Sequence, residues 1–153
     1  MSARALAILS AVLLVGCAQR PTIIPNSDPA LRKTSVEFSA DAAKRQYPAA
    51  ESTGKTLGSA QVGYTFNTLE VVNFSDEDWT DVEVWVNKEY VVYVPLIQHL
   101  QKDGSGRTKT LNFRMFYNRN GQSFPIDNMK TRIDLVQIYR DGKLYDVPLK
   151  LAD

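Results

Sequence analysis

The chain has 153 residues, with 18 basic and 17 acidic side chains, one histidine and one cysteine. This balance argues against nucleic acid, which calls for a basic patch, and against electrostatic attachment to lipid headgroups. A single cysteine excludes an internal disulfide, a single histidine beside it leaves no usual zinc set, and 44% apolar content is enough to fill one domain.

Met1 to Arg4 is short and carries one positive charge, and Ala5 to Val15 is apolar except for Ser10. These residues are too few to span a bilayer core, which needs roughly 20, but they suit the apolar region of a secretory signal. Leu14-Val15-Gly16-Cys17 follows, and this stretch resembles the lipobox of bacterial lipoproteins. The resemblance implies a signal peptide over 1–16, cleavage before Cys17, and attachment of palmitate-type acyl chains to its thiol. The chemistry requires cysteine because a thiolate forms the thioether to the lipid. Ala18, a residue other than aspartate, implies the outer membrane under the sorting rule of many Gram-negative lipoproteins. With Cys17 acylated, the folded part has no thiol for catalysis or metal binding.

Residues 17–35 read as a lipidated tether: Pro21, Pro25 and Pro29 recur among polar residues with no apolar period, which favours extended backbone. Over 36–60 the pattern predicts a short helix at about 39–47, capped by Ser39 or Asp41 and ended by Pro48, followed by loop over 48–60. From 61 to 153 the signal is strand. VGYTF and LEVVNF alternate, with a slip near Asn67 expected to be a bulge or bend. VEVWV and EYVVYV flank Asn87-Lys88, a hairpin turn. Asp103-Gly104, Asn120-Gly121 and Asp141-Gly142 mark further turns.

The expected fold is therefore mainly β: an antiparallel, immunoglobulin-like β-sandwich of about seven strands with a short N-terminal helix. Val84, Val92, Leu111, Phe113, Leu135 and Ile138 are its expected core. LEVVNFSDEDWTDVEVWVN resembles strand-turn-strand pieces of small bacterial Ig-like envelope domains, including those of FxLYD type.

Four features invite chemistry. Ser52-Thr53-Gly54-Lys55-Thr56 looks like the end of a phosphate-binding loop, but Ala49 stands at its first glycine position and no strand and helix frame it, so no nucleotide is expected. The turn Ser75–Asp81 concentrates carboxylates: Asp76, Asp78 and Asp81 are a calcium candidate, and Asp76, Asp78 and Thr80 alternate like the start of an EF-hand loop. Asn87 then stands where such a loop needs its closing glutamate, and its glycine is missing, so a solvated turn is the expectation. His99 has Asp103 and Ser105 near it in sequence but no nucleophile elbow. Trp85, Tyr90 and Tyr93 form a possible contact surface on the second face of the sheet, unless Phe38, Tyr47 and the rest of 36–50 cover it. Whether Tyr90 or Val91 lies opposite Trp85 depends on turn length. Asn73-Phe74-Ser75 matches a glycosylation sequon, incidental in a bacterial lipoprotein.

The function expected is that of an extracytoplasmic, membrane-anchored protein with a non-catalytic binding or structural domain, using no cofactor. Its partners would be the membrane, through the lipid, and an envelope protein or glycan. The alternative is an envelope-polymer hydrolase using the carboxylates of the 76–81 turn, since paired carboxylates about 5–10 Å apart cleave glycosides.

Overall fold

The structure, a computed structural model, describes residues 21–49, 52–56, 59–101, 103, 108–127 and 131–151. Cys17 and the signal-like segment lie outside the described residues, as does Ser105.

Residues upstream of the expected domain boundary are folded. Ile23 bridges Thr34 in antiparallel fashion, and the Ile24 N–H donates to the Lys33 carbonyl at 2.8 Å. Between them runs one turn of 3-10 helix, Pro29–Leu31, started by Asp28, whose side chain accepts from the Ala30 N–H. Ile24 and Leu31 are buried in the core. Residues 21–35 are therefore a folded wrap and not the extended tether that the proline spacing suggested. Prolines keep this backbone non-helical, yet Ile24 and Leu31 still gain by leaving water.

Helix α1 spans Ser35–Ala43, not 39–47. Thr34 starts it through a capping box: its hydroxyl accepts from the Glu37 N–H, and the Glu37 carboxylate accepts from the Thr34 N–H. T-x-x-E outcompetes Ser39 and Asp41 because two orphan backbone donors are satisfied reciprocally. Phe38 and Ala42 face inward.

Among the described residues nine strands follow: β1 (Ser52–Thr56), β2 (Ala60–Tyr64), β3 (Thr68–Asn73), β4 (Trp79–Val86), β5 (Tyr90–Ile97), β6 (Lys109–Asn112), β7 (Val136–Arg140), β8 (Lys143–Val147) and β9 (Leu149–Leu151). Seven of them, β2 to β8, make antiparallel ladders in two sheets, ordered β8-β7-β4-β5 and β6-β3-β2. β1 adds to β8, and β9 to β2, as parallel edge strands. The stretch 48–60, expected to be loop, thus contains β1. The slip near Asn67 is the turn of a β2–β3 hairpin and not a bulge: Tyr64 pairs Leu69, and the Thr65 N–H donates to the Thr68 carbonyl.

The inward faces follow the two-residue period of strands. Val82, Val84 and Val86 of β4 meet Val94, Val92 and Tyr90 of β5, and Val62, Leu69, Val71 and Leu111 line the facing sheet. Between Val82 and Trp79 the inward face changes parity. Asp81 with its positive φ sits at the change, and Pro95, lacking an N–H, lies in the partner strand. That parity change buries Trp79. β6 is short because the Asn112 side chain accepts from the Arg114 N–H and turns the chain into a 3-10 turn, Phe113–Met115. Val84, Val92, Leu111, Phe113 and Ile138 are core residues. Leu135 is not; it is half-buried, and Asn87 holds its backbone.

The β4–β5 turn has three residues, which places Trp85 opposite Val91 and Val86 opposite Tyr90. Asn87 and Lys88 both take positive φ, a conformation asparagine tolerates better than most side chains. The Asn87 carboxamide also accepts from the Asp134 and Leu135 N–H groups and donates to the Arg132 carbonyl.

Candidate functional site

The expected contact stripe is divided between two faces of the five-stranded sheet. Tyr90 points into the inter-sheet core, edge-on to Phe124 at 5.2 Å between centroids. Burial, with help from Glu89, pushes its hydroxyl pKa up. Trp85 and Tyr93 lie on the outer face, but α1 and Tyr47 lie against that face. Trp85 is 3% exposed and packs with Ala42, Val91 and Leu144. Tyr47 meets its ring edge-on at 5.4 Å. Trp85, Tyr90 and Tyr93 therefore do not form an exposed surface: Tyr90 is turned into the inter-sheet core, and the outer face that Trp85 and Tyr93 share is covered by the chain's own N-terminal part.

A polar network fixes that cover. The Arg45 guanidinium bonds one Glu83 oxygen at 2.5 Å and stacks over Tyr93 at 4.3 Å, while the Trp85 indole N–H donates to the other Glu83 oxygen at 2.9 Å. The Tyr47 hydroxyl donates to Gln137, which donates to Asp146. Tyr93 donates to Asp81, and this bond, reinforced by burial, raises its pKa. The sequence signal for this layer was the half-polar alternation of Glu83, Trp85, Tyr93 and Gln137, which marks a face covered by polar partners rather than by a second sheet.

The acidic turn does not converge. Asp78 accepts from the His99 backbone N–H at 2.9 Å and approaches His99 Nδ1 at 2.6 Å. The backbone bond first, and then the ring, hold its carboxyl below the usual range. Asp81 takes the Tyr93 hydroxyl instead, and Asp76 is exposed. The turn is built on Asn73, which is buried: its amide donates to the Glu77 and Ile97 carbonyls and its oxygen accepts from Ser75. The calcium candidate Asp76, Asp78 and Asp81 fails on this geometry. Among the described residues no three His, Cys, Asp or Glu side chains gather as a metal set. Ser52 to Thr56 is strand backbone paired with β8, not a phosphate-wrapping loop.

Surface features missed by the sequence reading lie around the wrap. Ser27, Asp28 and Pro29 meet Leu96, Gln98 and Lys109 across the open β5/β6 edge of the sandwich, around a cleft of about 470 Å3. There Lys109 holds Asp28; burial acts against the charge, but the Lys109 and Ala30 bonds and the Arg32 charge outweigh it and lower the Asp28 pKa. Two further clefts adjoin one another, sharing Ser35 and Tyr117. One, of about 570 Å3, runs between Val36, Ala40 and Ala43 of α1 and Arg119. The other, of about 430 Å3, holds Ile23, Arg114 and Ile126. Ile23 is 57% and Val36 63% exposed. The visible signal was the i, i+4, i+7 spacing of Val36, Ala40 and Ala43, which marks a second apolar side on α1 opposite Phe38 and Ala42.

No protein family, no curated protein and no solved structure matches this chain.

Proposed function

We propose that this chain is a bacterial lipoprotein, cleaved before Cys17 and acylated there, whose sandwich is a non-catalytic binding or structural domain of the cell envelope. The observation that carries the anchor is Leu14-Val15-Gly16-Cys17 behind its basic start and apolar run. Two or more acyl chains hold a protein on a bilayer stably where one does not. Binding is favoured over hydrolysis because Asp78 and Asp81 of the 76–81 turn are bonded to separate partners, His99 and Tyr93, where glycoside cleavage needs two carboxylates held across one cleft.

We read the sandwich as immunoglobulin-like in the broad sense. Taking β2 to β8 as strands A, B, C, C′, E, F and G, the two sheets run E-B-A and G-F-C-C′, which is the order such domains use. β1 and β9 extend these sheets as parallel edge strands. By the resemblance, Ala18 directs the protein to the outer membrane.

Intact mass of the purified protein should show Cys17 as an acylated N-terminus, and Cys17→Ser should leave the membrane fraction. An unmodified N-terminus would remove the anchor reading. Cross-linking in intact cells should capture a defined envelope protein or glycan. Hydrolysis of an envelope polymer, abolished by alanine at Asp76, Asp78 and Asp81, would replace the binding reading with the enzymatic one.

A further inference from the structure

We propose that the domain lies directly on the bilayer that holds its anchor, with the apolar face formed by Ile23 and the outer side of α1 seated in the headgroup layer. The inference rests on the anchor reading above and adds an orientation and a contact surface to it. Three observations meet at this face.

The first is the length of the leash. Had residues 17–35 been free, they would have reached about 65 Å. The wrap shortens this. Ile23 is bridged to Thr34 and Ile24 is bonded to Lys33, so only six peptide steps separate an anchored Cys17 from the folded domain, about 22 Å at full extension. A domain of this size has a radius of gyration of about 14 Å and is roughly 35 Å across. The leash is shorter than the domain, so the side bearing Ile23 cannot turn away from the membrane.

The second observation is what that side exposes. Ile23 and Val36 are among the large apolar side chains most open to water. They adjoin Ala40 and Ala43, both exposed, through the shared rim of Ser35 and Tyr117. A contiguous apolar surface of this kind marks a contact surface more often than scattered exposure does. An amphipathic helix lying in the interface buries its apolar side about 5–10 Å into the boundary between headgroups and acyl chains.

The third is charge. Arg114 and Arg119 stand at the rim with Asp127. Two cations and one anion make no basic patch, so apolar contact and the leash hold the face down, not attraction to anionic lipid. Binding of this kind is insensitive to salt, in contrast to attachment through a basic patch.

The test uses the full, acylated chain in vesicles of phosphatidylethanolamine and phosphatidylglycerol. With Cys17 blocked by lipid, Val36→Cys and Lys143→Cys each give one labelling site. Lys143 is exposed at the β7–β8 turn, three strands from β5. A fluorophore at Val36 should be quenched by lipids carrying spin labels in the upper acyl chain roughly threefold or more beyond one at Lys143, with little change between low and high salt. Ile23→Asp, at an exposed position, should reduce that quenching while the thermal melt stays put. Equal, weak quenching at both sites in protein whose mass shows acylated Cys17 would overturn the docking and leave the anchor standing. An unacylated, freely soluble chain would instead sink both. Shielding of the Val36 label that grows with protein concentration in lipid-free detergent would assign the face to a second copy and overturn the proposal.

Discussion

The strands and the N-terminal wrap bury the same kind of side chain by different means. In β4 and β5 burial follows the pleat: Val82, Val84 and Val86 face Val94, Val92 and Tyr90, and neighbouring strands satisfy the backbone. In the wrap and the helix that follows it, Ile24, Leu31 and Phe38 sit in a bridged extended segment, a 3-10 turn and α1 respectively. Side chains there replace the missing ladder. Asn26 donates to the Thr110 carbonyl, and Arg32 reaches back to the carbonyls of Asn26 and Ser27. The contrast teaches that regular backbone is one way to bury apolar groups; satisfied backbone is the requirement.

If the wrap is as integral as the strands, equivalent truncations in the two regions should cost alike. Trp85→Ala, which removes the ring gripped between the sheet and Tyr47, should have the largest effect, about 3–5 kcal/mol. Leu31→Ala in the wrap and Leu111→Ala in β6 are both fully buried and should each lose about 2–5 kcal/mol in urea unfolding. A Leu31→Ala protein as stable as wild type would break the comparison and return 21–35 to the status of a tether.

The same contrast explains how much was legible in the sequence. Two-residue alternation reported the inward faces of β4 and β5 because local spacing and burial coincide there. It failed at Leu135, where the Asn87 side chain turns the backbone aside; near Asn67 it marked the break and left a bulge or a bend open, and the structure has the bend, at the β2–β3 turn. The wrap was misread because prolines and polar residues signal the absence of a helix, not the absence of burial; Leu31 is held by contacts distant in sequence. For the candidate site, the carboxylate cluster was visible but its divergence was not. Whether Asp78 turns to His99 and Asp81 to Tyr93 depends on strand pairing between β4 and β5. Trp85 offered both readings, and the position of α1 decides between them.

The comparison sharpens at the joins between the two regions. Asp28 and Lys109 tie the wrap to β6 in a largely buried pair. Asp28→Asn leaves the Lys109 ammonium without its charged partner and should cost about 1–3 kcal/mol, with hydrogen exchange rising first at β6. Uniform exchange across both sheets would mean that the pair acts on the whole fold and not on this join. A smaller effect is expected at the start of α1. Thr34→Ala removes one half of the capping box and should cost about 1 kcal/mol, whereas Thr34→Ser should restore most of it. Equal loss in both variants would assign the effect to the threonine methyl and not to the cap.

The smallest effect belongs to the acidic turn and is read by pH. In the folded chain the His99 backbone N–H, and then its ring, lower the Asp78 pKa, while the unfolded carboxyl titrates near about 3.9. A lowered folded value stabilises the protein fully above the unfolded pKa, and that contribution fades as pH falls through the folded one. Asp78→Asn should therefore be less stable than wild type near neutrality, by a small margin because the group is open to solvent. The two unfolding curves should draw together from about pH 4 downward. Because the bonded carboxylate lies on a turn joined to β5 through His99, the loss should concentrate there and leave α1 and the wrap unchanged. A gap between the curves that persisted to pH 2 would show that Asp78 acts through packing rather than through its charge.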